Sequence, residues 1–518
     1  MSCRAAMLLP FLALLAAAPA SAGPPAAYLP VEHPAYEDLE SLVAGRLVDS
    51  LAIDTRPLAR TDIAAALLRA ERGNPALAGD PRYGRLAREL AREFQDLGAD
   101  PPTPESPPLV DVGPRERRFR LSLLGHVRGD FVDDRPVAHF QLRDESSLLA
   151  RADLQVWPGL AVYENLGITR VRSQRAFIDP IVYRTDLEIT SSRAGITGRA
   201  GPFTGAAGYD TFRWGPGRRG TLLLSDAAGP MGFVALSGSF AGRITATSLS
   251  GIVSQEDGQY LAAHRLEFAV TPRLTVGASE AVRYHGRGLD LLYATGLLPY
   301  AVVERIHIRD GFSDSVRVSA RANIMASIDA EARLGRGVSA YGELLIDDFA
   351  TKNRDMPDRF GYQAGARLDR SIGDRVLRVL AEYTRVRRFT YATYYGQNFA
   401  LRDRPLGFAL GPDAENTLVE GALDLNRDWQ IRSSLDLTNR GEGVLGEAWN
   451  PDEGFVSNSG LSGVVERTRE VWSDLRFIPV DRLDLSAGVG RRWITNERHV
   501  LGADRSSWMA RLAVDARY

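Results

Sequence analysis

The sequence is poor in several things, and each shortage removes a class of protein. A single cysteine, Cys3, stands in 518 residues, so no disulfide framework can brace the fold and no Cys/His spacing suits a metal. There is one lysine, Lys352, and all other basic residues are arginine. Net charge is −2 with 25% charged residues, without the strongly basic domain expected of a nucleic-acid binder. Beyond the opening segment no apolar run reaches about 18 residues, so no membrane-spanning helix is available. H-E-x-x-H and G-x-S-x-G are missing, and the histidines (33, 126, 139, 264, 285, 307 and 499) are scattered. The expectation is a protein that is not an enzyme, with no cofactor, no metal and no nucleic-acid partner.

What is present begins with export. Arg4, an apolar run from Ala5 to about Ala18, and Ala20-Ser21-Ala22 have the order of a secretory signal peptide, expected over residues 1–22 and removing Cys3. An exported chain without a spanning helix is either soluble or a closed β-barrel in an outer membrane.

The next segment has helical periodicity. Tyr36, Leu39, Leu42 and Val43 share one face after Pro34. Ile63, Leu67 and Ala70 repeat the arrangement behind Thr61 or Asp62 as cap, and Leu86, Leu90, Phe94 and Leu97 follow Asp80-Pro81. A periplasmic three-helix domain is expected over residues 30–99, and a proline-rich linker over 100–116.

From residue 117 to 518 the period becomes 2. In 316–334, Val316, Val318, Ile324, Ile328 and Leu334 hold one face while Arg317, Arg321, Asp329, Glu331 and Arg333 hold the other. Tight turns are expected at Gly335–Gly337, Thr271–Arg273, Asn426–Asp428 and Pro479–Asp481. A soluble sandwich and a membrane barrel both alternate, but the candidate strands are longer than the roughly 5–6 residues usual in sandwiches. Short turns also alternate with long connections such as 285–313, 389–414 and 439–468, the outer-membrane pattern. The expected fold is an all-β transmembrane barrel of about 18 antiparallel strands, 16 being equally acceptable, preceded by a small α-helical bundle. The last strand would turn Leu512, Val514 and Ala516 to lipid and end on Tyr518, an aromatic terminus of the kind the barrel-insertion machinery reads. The inward face should be charged and wet.

One stretch exceeds that background. "YDTFRWGPGRRGTLLLSDAAGPMG" (209–232) crowds Trp214, Gly215, Pro216, Gly217, Arg218, Arg219 and Gly220 together. It lacks the G-K-[ST] ending and following helix of a phosphate loop. A loop folded into the lumen or its mouth fits better, with Trp214 as a stacking face and the arginines as donors for sugars, or as a structural plug.

These residues resemble a motif of the Wzi-type capsule-assembly family of outer-membrane barrels. "HPAYEDLE", "TRPLARTDIAAAL", "AHRLEF" (263–268), "LTVGASEAVRY" (274–284), "YGELLIDDF" (341–349), "AEYTRV" (381–386) and "PLGFALGPD" (405–413) agree in order. The resemblance implies a barrel that binds, assembles or exports acidic polysaccharide at the cell surface. Outer-membrane lipid, the insertion machinery and a periplasmic polysaccharide-export protein would be its partners. By motif it points to Trp214, Arg218, Arg219, His264, Arg265, Glu280, Tyr341, Glu343, Asp347 and Asp348 as lumenal or polysaccharide-binding residues. Lumenal charge pairs that only stiffen the wall are the structural alternative for each. A diffusion porin is the alternative function; it leaves the bundle and the Trp214 loop unexplained.

Overall fold

The computed structural model describes residues 27–49, 51–100, 108–114, 117–134, 137–142, 146–157, 159–170, 187–240, 242–309, 322–335, 337–348, 356–373, 375–393, 396–426, 428–450, 452, 454, 456–457, 459–480 and 482–517. The signal peptide, Tyr518, most of the proline-rich stretch and positions 316–321 of the expected long strand lie outside these residues.

Eighteen antiparallel strands close into a barrel. They are β1 Phe119–Asp134, β2 Val137–Leu142 continued by Ser147–Trp157, β3 Leu160–Arg170, β4 Leu187–Ala200, β5 Phe203–Asp210 and β6 Met231–Phe240. Next come β7 Ile244–Ser254, β8 Gln259–Thr271, β9 Leu274–His285, β10 Asn323–Gly335, β11 Val338–Asp348 and β12 Arg359–Ile372. The wall ends with β13 Arg375–Val386, β14 Ala414–Asp424, β15 Trp429–Arg440, β16 Glu466–Val480, β17 Leu483–Thr495 and β18 Arg505–Arg517. Closure is by β18 on β1, with Leu512 opposite Gly129 and Val514 opposite Val127.

The alternation resolves as expected. Ile328, Leu344, Leu475, Leu512, Val514 and Ala516 face out and are exposed, as a lipid-facing wall requires. Two aromatic belts bound that surface. Phe203 with Phe240 and Trp429 with Phe477 lie near the short turns; Tyr362 with Tyr383, and Trp493 beside Trp508, lie toward the long loops. Belts of this kind sit at membrane–water interfaces.

The helices of the N-terminal segment are α1 Ala35–Ala44, α2 Arg60–Gly73, α3 Pro81–Glu89 and α4 Ala91–Asp96. Leu39, Leu42, Ile63, Leu67, Leu86, Leu90 and Phe94 form their shared core. Asp80 caps α3, accepting from the Arg82 N–H at 2.9 Å. The third expected helix is divided at Leu90, where the backbone departs from helical angles while Leu90 stays packed in the core. Helix α2 starts at Arg60 after an extended Ala59, not behind a Thr61 or Asp62 cap. Within the expected linker, Val110–Val112 pairs with β1, adding backbone hydrogen bonds at the barrel's base.

Two further expectations change. The connection after β9 contains helices α5 Leu291–Thr295 and α6 Tyr300–Arg309. Asp290 caps α5 by accepting from Leu292 and Tyr293, and Gly296 ends it in the left-handed region at φ 61°, so both signals were in the sequence. The bore, moreover, is not wet throughout. Loop residues Trp214, Leu222, Leu223, Leu224, Tyr391, Phe399 and Phe408 pack with inward Phe233, Leu249, Leu261, Met325 and Leu345 into one apolar core. An outer half filled this way excludes water instead of holding it.

Candidate functional site

The loop between β5 and β6 enters the barrel from the long-loop end and meets the helical segment entering from the short-turn end. At the meeting point Thr55–Arg56 pairs antiparallel with Arg213–Trp214. The Gly215 N–H donates to the Asp54 carbonyl at 2.8 Å, and the Trp214 N–H to Leu224 at 2.8 Å. Trp214 is 1% exposed. The expected stacking face is therefore packed inside the plug, a correction forced by the two-stranded contact and the apolar core around it.

Wall side chains hold the loop by its backbone. Glu382 accepts from the Arg218 and Arg219 N–H groups at 2.5 and 2.9 Å and from the Tyr341 hydroxyl at 2.6 Å. Glu343 accepts the Leu222 N–H through both oxygens at 3.1 Å. Gln363 donates to the Gly220 carbonyl at 3.0 Å, Arg367 to Pro216 at 2.8 Å and the Tyr391 hydroxyl to Leu222 at 2.6 Å. Glycine is required here: a Cβ at Gly217 would overlap the Gln363 amide and the Gly220 carbonyl. Asp347 accepts the Tyr391 N–H at 2.8 Å, tying the 386–414 loop to β11, and Asp348 pairs with Arg359 at the strand end.

The short-turn half is an ion-pair lattice. Arg265, 1% exposed, donates to Asp329 at 2.5 and 3.0 Å, to Ser279 at 3.0 Å and to the Thr55 hydroxyl at 2.9 Å. Thr55 in turn donates to Glu267 at 2.7 Å. Glu37 accepts from Arg218 at 2.6 Å and Arg432 at 2.5 Å. Asp38 accepts from Arg378 at 3.1 Å, and Glu40 pairs with Arg367 at 3.0 Å and with Arg56. Burial favours the neutral Glu37 carboxyl, but Arg218 and Arg432 outweigh it and hold its ionisation well below the usual range. Glu40 is depressed likewise, burial being overcome by Arg367 and Arg56. Asp54 moves the other way, raised by burial and by facing Glu331, Glu267 and Asp329. Burial and the crowding of acidic groups around it thus disfavour the charged Asp54 carboxyl.

Of the ten residues singled out from sequence, Trp214, Arg218, Arg219, Arg265, Tyr341, Glu343 and Asp347 come together inside the barrel. His264 and Glu280 do not: they pair across β8 and β9 at 3.4 Å on the outer wall, beneath α5 and α6. Alternation decides this, since inward Arg265 fixes His264 as outward. Sequence reasoning passed over Glu382, Gln363, Arg367, Glu37 and Glu267. Glu382 lay inside the quoted "AEYTRV", but only the observed register shows that it faces the loop.

Two cavities flank the helices, of about 510 Å³ beside Thr55, Phe212, Glu267 and Arg333 and about 360 Å³ beside Glu37, Arg85, Arg378 and Arg517. Among the described residues neither reaches the 386–414 or 440–466 loops. The arrangement is a stoppered barrel.

The model of the Wzi capsule assembly protein family matches residues 192–507, more than half of the chain. Among solved structures the chain overlays Wzi of Escherichia coli, an outer-membrane protein involved in group 1 capsule assembly and a carbohydrate-binding β-barrel. The TM-score is 0.61 at 16% identity, covering 94% of this chain and 99% of that one. OprD of Pseudomonas aeruginosa overlays at a TM-score of 0.44 and 10% identity, covering 77% of this chain and 95% of that one. OmpT of Vibrio cholerae gives 0.38 and 9%, covering 79% and 99%. No curated protein matches the chain. With its barrel, its periplasmic helices and its family match, this chain belongs to the Wzi capsule-assembly family of outer-membrane proteins.

Proposed function

We propose that this protein holds an acidic polysaccharide at the outer face of the outer membrane during capsule assembly, binding it and catalysing nothing. The observation that carries the reading is the stopper. Among the described residues the two plugs meet at Thr55–Arg56 and Arg213–Trp214 beneath an apolar core of loop and wall side chains, which supports handling of the polymer on the surface over threading through the lumen. Exposed Arg402 and Arg404 on the 386–414 loop offer charge-assisted donors to carboxylated sugars. Trp214, Arg265 and Glu343 serve this site indirectly, by fixing the loops from below. Contact of the last strand with the insertion machinery, through Leu512, Val514, Ala516 and Tyr518, and of the helices with a periplasmic export protein, belongs to the same proposal. Deleting the chromosomal copy and weighing cell-associated against released polysaccharide tests it. Lost retention with normal release supports a surface anchor; polymer trapped in the periplasm would replace it with an exporter.

A further inference from the structure

The outer wall carries a feature that the barrel does not need. A row of outward residues facing one another in register runs Leu236, Ser248, His264, Glu280, Ala326, Ile346 across β6 to β11. Its ends are apolar, as a lipid-facing row should be, but its middle is polar. Helices α5 and α6 cover that middle from outside. The Ser248 hydroxyl donates to the Ala294 carbonyl at 2.6 Å, and Glu280 accepts the Tyr300 N–H at 2.9 Å. Gly296 lies against His264 so closely that a Cβ would stand 2.9 Å from the histidine's own. Rings complete the seat: Tyr293 lies 4.8 Å from Tyr284 and 5.4 Å from Tyr300, which is 4.6 Å from His264.

The hairpin's other side is apolar. Leu297 is 83% and Leu291 64% exposed, with Leu292, Leu298, Val302 and Ile308 also exposed. In water such a patch would be a liability. Here it continues the lipid-facing surface of the flanking strands, where Leu236, Ile252, Ile328 and Leu344 are exposed. We propose that residues 291–309 form a collar docked on the barrel's outer wall and immersed in the acyl chains of the outer leaflet. Arg305 on the same helix is exposed, a residue type whose long side chain can carry its charge to the headgroups. Ser248, His264 and Glu280 are its fastening, and the occupant of its outer face is lipid.

Single cysteines at Leu297 and Val302, in a Cys3→Ser background, are labelled with an environment-sensitive fluorophore in the full chain reconstituted at high lipid excess. Leu236→Cys in the wall and Arg402→Cys in an outer loop are the references. Quenching of both collar labels by brominated phosphatidylcholine, to within about twofold of the Leu236 reference, with iodide quenching only the Arg402 label, is the expected result. Quenching of the collar labels by iodide overturns the proposal by placing the hairpin in water. Quenching by neither reagent overturns it by showing protein on that face, and if this appears only at high protein density the occupant is a second copy. Glu280→Gln should weaken the fastening and at least halve bromolipid quenching at Val302, while heat-modifiable migration shows that the barrel itself still folds.

Discussion

The two halves of the lumen are filled by different physics. Toward the periplasm, arginines and carboxylates of the wall grip α1 and the Thr55 strand; toward the outside, loops bury leucines and aromatic rings against an apolar wall. Charge pairs are directional, so they fix where the helices dock. They return little net stability once desolvation is counted. Apolar packing has no such direction but excludes water and ions, so it seals. One half aligns and the other closes.

Mutations in the two halves should therefore differ in kind. The largest effect is expected from Leu222→Asp, which places an unpaired carboxylate in the sealed core and should cost more than about 4 kcal/mol of loop packing. Tryptic cleavage after Arg402, with the barrel still resistant, is the readout. Arg265→Ala follows. It strands buried Asp329 and Glu267 and should cost about 3 kcal/mol of helix docking, seen as release of the helical segment to protease while the outer loops stay protected. If both variants open the same end, the division between halves is wrong.

The division also explains what the sequence made legible. In β8, Arg265 and Glu267 point in while Leu266 and Phe268 point out, and the period of 2 is plain. Two and four residues outward from Arg265 along the same strand, Ala263 and Leu261 point in against the sealed core while Ala262 points out beneath the collar. There both faces are apolar and alternation carries no information about direction. Hence the barrel and its strand period could be found by reading, while Arg218, Arg265 and Glu343 were singled out through the family resemblance. The burial of Trp214, and the outward seat of His264 and Glu280, depended on partners hundreds of positions away. Asp290 and Gly296 carry the cap signals of α5, but the expectation for 285–313 was a long connection without helices.

Acid should loosen the grip on the helices without mutation. Glu37 and Glu40 have folded ionisations depressed by their arginine partners, so their stabilisation is present above the unfolded value near 4.3 and is lost as pH falls below it. Burial lowers His33 to about 3. Between its unfolded value near 6.5 and about 3 the unfolded chain binds a proton that the folded one refuses, so stability again falls as pH falls. The helical segment should loosen in steps from about pH 6 downward, and His33→Gln should remove the upper step. Protease release measured across pH checks both. The smallest effect is expected at Arg219→Ala. Its ion pair with Asp436 at 2.9 Å is more than a third exposed on the arginine side, so about 0.5 kcal/mol or less is at stake.

The central claim is closure, and planar-bilayer conductance of the purified full chain tests it most directly. The protein should show no steady current, and a variant lacking residues 213–224 should show a large one. A large, steady and nonselective conductance from the unaltered chain would contradict the stoppered barrel and restore the porin.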